Sequence, residues 1–194
     1  MMKMTKKLII LMLVVLGWTG AEAQVKFGVK AGLDLTNFWG KQVQERKLLL
    51  NYQAGLLMEY KFNPRFGIGP EVVFAAQGGQ WEAYDGNPDR YHTNYINVPV
   101  MLKYYAATDL SIDFGPQLGF NVYSKSSCRG KVYNHKDWTN SLDFGIGLGA
   151  TCYLDEHAFM QARYTLGLTK VFESFGEKDN RKNGNIQLTF GVLF

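Results

Sequence analysis

The chain has 194 residues, a formal net charge of +4, 21 glycines and 2 cysteines, with 14% aromatic residues. That length suits one domain, the small charge demands no nucleic acid, and two cysteines are too few for a disulfide scaffold. Beyond the first two dozen residues no run of about 18 apolar residues occurs, which excludes a transmembrane helix and leaves a soluble fold or a membrane-embedded barrel.

Lys3, Lys6 and Lys7 precede an apolar run from Leu8 to Trp18, followed by Ala21-Glu22-Ala23. This pattern predicts a secretory signal over residues 1–23, cleaved after Ala23, and a single domain over 24–194. From Val25 to Leu35 the odd positions are apolar and the even ones are Lys26, Gly28, Lys30, Gly32 and Asp34. That is a strand period of two. The alternation returns over 48–60, 66–77, 95–104, 110–123, 142–152, 158–168 and 185–194. Pro99 lacks an N–H for the ladder, so a bulge is expected there. The expectation is eight strands. Short turns at 61–65, 105–109 and 155–157 alternate with long polar loops at 36–47, 78–94, 124–140 and 169–184. Outer-membrane barrels have this asymmetry, with short periplasmic turns and long outer loops. The strand ending at Phe194 is expected to pair with 25–35, which closes the sheet and removes both edges. Cys128 and Cys152 then fall near opposite ends and stay free.

Which face points inward is decided by volume. A soluble, lipocalin-like barrel would hold the apolar set inside, whereas a membrane barrel turns it to lipid. The apolar set is rich in Phe, Tyr, Leu, Ile and Met; the other set carries Gly28, Gly32, Gly55, Gly67, Gly69, Gly115, Gly119, Gly145, Gly147, Gly149, Gly167 and Gly191. An eight-stranded barrel is narrow, so the small residues belong inside. Phe27, Tyr60, Phe66, Tyr104 and Phe194 near the turns, and Tyr52, Phe74, Phe120 and Phe144 nearer the loops, suit two interfacial belts. The reading is all-β: an eight-stranded, antiparallel, up-and-down transmembrane β-barrel of the bacterial outer membrane, in contact with outer-membrane lipid.

Several segments carry a resemblance: Gly28-Val29-Lys30-Ala31-Gly32-Leu33, Tyr95-Ile96-Asn97-Val98-Pro99-Val100 with Leu102-Lys103-Tyr104, and Gly115-Pro116-Gln117-Leu118-Gly119. Ala162-Arg163-Tyr164, Gly167-Leu168 and the terminal Phe194 add to it. Over the whole mature chain these resemble the small outer-membrane β-barrel family called PorT-like. The resemblance implies a fold and a location; most members lack a defined activity, and one branch serves in protein secretion. Phe194 also resembles the terminal aromatic by which outer-membrane barrels are recognised by their insertion machinery.

Inward positions carry Lys26, Lys30, Lys103 and Arg163 against Asp34, Glu59, Glu71, Asp113 and Asp143. Charges out of water must pair, so the expectation is an internal network that plugs the barrel. A small polar pore lined by these groups is the alternative. For catalysis, His92 and His135 lie in loops with Asp85, Asp89, Ser126, Ser127 and Asp137 nearby, and no spacing singles out a nucleophile, base and orienter. The expectation is no enzyme, no cofactor and no metal, the three histidines and two cysteines being scattered. The loops carry Trp39, Trp81, Tyr84, Tyr133 and Trp138 among basic residues including Arg129. Aromatic and basic residues together suit recognition of a protein, a glycan or a lipid phosphate, or anchoring at the headgroups. The sequence therefore reads as a non-enzymatic structural or interaction scaffold, with a small pore or a secretion-apparatus component as alternatives.

Overall fold

The computed structural model describes residues 25–39, 48–82, 88–128, 131–134, 140–171 and 181–194. The expected signal over 1–23 lies outside them. Every regular element among the described residues is a strand: β1 (Val25–Trp39), β2 (Leu49–Asn63), β3 (Phe66–Glu82), β4 (Pro88–Ala107), β5 (Leu110–Cys128), β6 (Lys131–Asn134), β7 (Leu142–Tyr153), β8 (Ala158–Gly167) and β9 (Lys182–Leu193). All pairings are antiparallel, and the ring runs β4-β3-β2-β1-β9-β8-β7-β5 and closes through β4 and β5. Eight strands form the barrel. The short β6 only prolongs the sheet beside the outer end of β5, pairing Ser126 with Tyr133 and Cys128 with Lys131.

The closing pair is the expected one. Gly28 faces Leu193 and Thr36 faces Asn185 across β1 and β9. Phe27 and Phe194 exchange backbone hydrogen bonds of 3.1 and 2.7 Å, so pairing continues to the last residue. Cys152 is a free, exposed thiol beside Leu110 at the short-turn end, whereas Cys128 pairs with Lys131 at the other end.

Two expectations need correction. No bulge accompanies Pro99: the β3–β4 register is unchanged from Pro70↔Val100 to Val73↔Asn97, and the β4–β5 register from Pro99↔Gln117 to Leu102↔Phe114. A missing donor interrupts the ladder without adding a residue. The irregularities of β4 fall instead between Asn94 and Tyr95 and between Tyr105 and Ala107. The strands also outrun their apolar alternation. About ten residues cross a bilayer as a tilted strand, yet β3, β4 and β5 have 17, 20 and 19. Beyond the lipid a ladder needs only its backbone partners, so these strands continue as a four-stranded extension with β6. Trp39, Trp81 and Tyr133, read as loop residues, are therefore strand residues.

Alternation places Phe27, Leu33, Tyr52, Leu56, Phe114, Leu148 and Phe190 outside and exposed, and Lys30, Asp34, Gln53, Glu71, Asn97, Asp113, Gln161 and Arg163 inside and buried. A soluble protein does not expose a continuous apolar band of this extent; lipid covers it. Outward aromatics pack in pairs at both ends, Phe66 with Tyr104 at 5.4 Å near the short turns and Tyr52 with Phe74 at 6.4 Å nearer the loops.

Candidate functional site: a braced and floored lumen

The inward side chains occupy the barrel in layers. At its centre Arg163 on β8 forks onto Glu71 on β3, with Nη1 to Oε2 at 3.0 Å and Nη2 to Oε1 at 2.7 Å. Lys30 on β1 meets the same carboxylate at 2.7 Å. One carboxylate thus neutralises part of two cations, and a bidentate fork fixes its plane.

A second cluster lies nearer the short turns. Lys103 on β4 sits 3.4 Å from Asp113 on β5 and 3.5 Å from Glu59 on β2. Asp113 accepts from Ser111 at 2.8 Å and from Thr151 at 2.5 Å. Glu59 accepts from the hydroxyls of Tyr105 at 2.8 Å and Tyr153 at 2.7 Å. Gln161 joins the clusters, its amide nitrogen donating to Asp113 and its carbonyl accepting from Lys30, both at 3.0 Å. Three cations and three carboxylates, each at most 4% exposed, form one connected and formally neutral network. Pairing and overall neutrality are what make buried charge tolerable.

Three of the inward charges singled out in the sequence do not join this network. Lys26 donates to the Glu156 carbonyl at 3.0 Å on the exposed short-turn rim. Asp143 is held toward the loop end by Thr169 and by Asn183, the latter at 2.8 Å. Asp34 is fully buried, and neither of its oxygens has a hydrogen-bond partner.

Beneath the charges lies a layer absent from the sequence reading. Leu57, Phe159 and Leu193 form a buried apolar cluster with Tyr153 packed against it. Tyr153 lies 6.1 Å from Tyr105 and 6.4 Å from Phe159 between ring centroids, and the Lys61 amine stands 4.2 Å over the Tyr105 ring. Parity held the signal: Leu193 shares the face of Gly191, and Phe159 that of Gln161. Their nearness to turns hid it. Together these side chains floor the lumen at its short-turn mouth.

At the loop end, Trp39 donates its indole N–H to the Asn183 carbonyl at 2.9 Å, and the Lys182 amine stands 5.0 Å over its ring. Trp81 pairs through its backbone with Asp89, and Tyr133 with Ser126. Tyr84, Arg129 and Trp138 lie outside the described residues, as does His135. Of the other histidines, His157 is exposed in the 154–157 turn and His92 is half-buried on β4. Among the described residues no three His, Cys, Asp or Glu side chains converge as a metal site.

An outer-membrane β-barrel is the form in which the comparisons also place the chain. Residues 20–173 match the family described as outer membrane protein beta-barrel domain. The chain belongs to this family. As a member of the outer membrane protein beta-barrel domain family it resides in the bacterial outer membrane. No curated protein matches its sequence. Among solved structures it is similar to Ail, the attachment invasion locus protein of Yersinia pestis, solved in complex with the heparin analogue sucrose octasulfate. There the identity is 15%, the alignment covers 88% of this chain and 99% of Ail, and the TM-score is 0.55. It is similar also to Neisserial surface protein A, at 12% identity, with 87% and 97% coverage and a TM-score of 0.57. At these identities the likeness concerns the fold.

Proposed function

We propose that this barrel is a non-conducting, non-enzymatic scaffold that anchors a recognition surface in the outer membrane. The observation that carries this is the double closure of the lumen. The six-charge network pairs every carboxylate with a cation across the barrel, and Leu57, Tyr105, Tyr153, Phe159 and Leu193 floor it below. An aqueous path would need both layers to move. Specificity then belongs to the outward extension of β3, β4, β5 and β6, where one set of rungs aligns Gly79, Tyr91, Ser126 and Tyr133.

The partner this surface suits is a protein or an anionic glycan. Lys125 lies over the ring of Tyr123 on β5 near the base of the extension, Lys182 lies over Trp39 on the rim at β1 and β9, and Arg129, Lys131 and Lys136 follow Lys125 in sequence. Ail, of similar fold, has been crystallised with a heparin analogue. The motifs around Pro99, Pro116 and Arg163 support a place in the PorT-like branch, and the terminal Phe194 supports recognition by the insertion machinery. The test replaces 79–91 and 124–140 by short turns. A shortened barrel that keeps heat-dependent gel mobility but loses capture of a heparin column or of a co-purifying envelope protein supports the reading. Equal capture by full and shortened barrels contradicts it.

A further inference from the structure

Three of the five prolines stand inside adjacent strands, Pro70 in β3, Pro99 in β4 and Pro116 in β5. Proline is ordinarily confined to sheet edges and bulges, because it has no N–H to give a ladder. Each of these three removes a rung on one side. Pairing skips Met58 and Glu59 against Gly69 and Pro70, Glu71 and Val72 against Val98 and Pro99, and Val100 and Met101 against Gly115 and Pro116, with the register unchanged on either side. Among the described residues the β1–β2, β1–β9, β5–β7, β7–β8 and β8–β9 ladders have no skipped pair.

The gaps are contiguous. Pro70 precedes Glu71, which by register stands opposite Pro99; Pro99 precedes Val100, which stands opposite Pro116. One line of absent rungs therefore steps across the β2–β3, β3–β4 and β4–β5 seams, within the band where Val72, Leu102 and Phe114 are exposed outward. Strands in lipid are held to each other only through the sheet itself. Where the rungs are absent, neighbouring strands bend without carrying each other. Side chains pin the short-turn side of the line: Lys103 joins Glu59 on β2 at 3.5 Å and Asp113 on β5 at 3.4 Å, and the Tyr105 hydroxyl donates to Glu59 at 2.8 Å. On the line itself, Glu71 is gripped from β8 by Arg163.

We propose that the three prolines form a crease in the barrel wall, at which β3, β4 and β5 bend and carry their shared extension against the rest of the ring. That the moving part recognises a partner rests on the function proposed above; the crease itself rests on the missing rungs. The brace from β8 gives the wall a held point about which to bend, and the floor below it stays in place. A recognition surface mounted in this way adjusts to a protein or a glycan chain while the lumen remains closed. Local openings of this kind follow the places where a sheet has the fewest hydrogen bonds.

The test is amide hydrogen exchange of the full barrel refolded in detergent. Amides within 57–60, 68–73, 97–102 and 114–117 should exchange at least about fivefold faster than those within 28–34, 146–150 and 161–165 in the unbroken ladders. Pro70→Val combined with Pro116→Val returns a donor to two of the rungs and alters only outward-facing side chains. Exchange at the crease should then slow by about fivefold or more, with the unbroken ladders unchanged. Spin labels on the native Cys128 and Cys152, at the loop and short-turn ends, should give a broad distance distribution that narrows in the double variant. Exchange in the unaltered barrel as slow beside the prolines as in the unbroken ladders overturns the proposal, whether or not the variant refolds. A distribution equally broad in both proteins also overturns it. Neither readout uses a captured partner, so failure of the recognition reading and failure of the crease are told apart.

Discussion

Arg163 and Glu71 stand on strands at opposite points of the eight-stranded ring and join across the lumen through two hydrogen bonds of 3.0 and 2.7 Å. Ninety-two positions separate them in sequence. A bond that spans the diameter of a barrel sets its cross-section as well as its charge balance.

The consequences of breaking this brace should depend on which side is removed. Glu71→Gln leaves both Arg163 and Lys30 without their carboxylate, whereas Arg163→Met leaves Glu71 paired with Lys30 at 2.7 Å. Removing one partner of a buried pair costs about 3–5 kcal/mol. Glu71→Gln should reach or pass the top of that range and Arg163→Met fall at or below its bottom, read from urea denaturation of the refolded barrel. Equal losses would mean that Lys30 takes no share of Glu71.

Gly191 on β9 is where the floor needs a glycine, because a Cβ there would overlap the Phe159 ring. Gly191→Ala should therefore cost about 1–3 kcal/mol, as overpacking does. Combining it with Phe159→Leu should restore part of that loss, although Phe159→Leu alone destabilises. A double variant no better than the sum of the singles would place the ring elsewhere.

Acid should act on the last short turn through Asp155. Its carboxylate accepts from the backbone N–H groups of Ala158 and His157, both at 2.7 Å, and these bonds hold its pKa below the ordinary carboxylate value. A group depressed in the folded state contributes stability above its unfolded pKa and loses it as pH falls through the folded one. Asp155→Ala should lower the urea midpoint slightly at neutral pH, and the gap should close below the ordinary carboxylate range. A gap that persists at low pH would assign the effect to turn geometry rather than to charge.

Phe194 is 71% exposed and ends the strand that closes the barrel, bonded to Phe27 through its backbone in both directions. Its ring adds little to internal packing. Deleting it should reduce insertion in cells far more than refolding in detergent, measured as the heat-modifiable fraction of each preparation. Equal losses would make it a packing residue only.

Much of this fold was legible because alternation is a local signal. Parity set Lys30, Asp34, Glu71, Asp113 and Arg163 on one face and the bulk of the opposite face turned that face inward, and the match between 25–35 and the last strand followed from the need to close an edge. Partnership was not legible. That Arg163 forks onto Glu71 while the Asp34 carboxylate receives no side-chain hydrogen bond depends on the stagger of strands around the ring, which no single strand encodes. The floor was missed because Tyr105, Tyr153, Phe159 and Leu193 sit beside turns, where the alternating pattern is shortest. Trp39, Trp81 and Tyr133 were read as loop residues because a strand outside lipid no longer needs apolar side chains to mark it.

Planar bilayer recording of the refolded full barrel is the most direct test of a lumen closed by a braced network above an aromatic and aliphatic floor. The intact protein should show no stable unitary conductance. Stable unitary steps in the intact barrel, altered by Arg163→Ala or Glu71→Ala, would contradict it and make these side chains the lining of a pore.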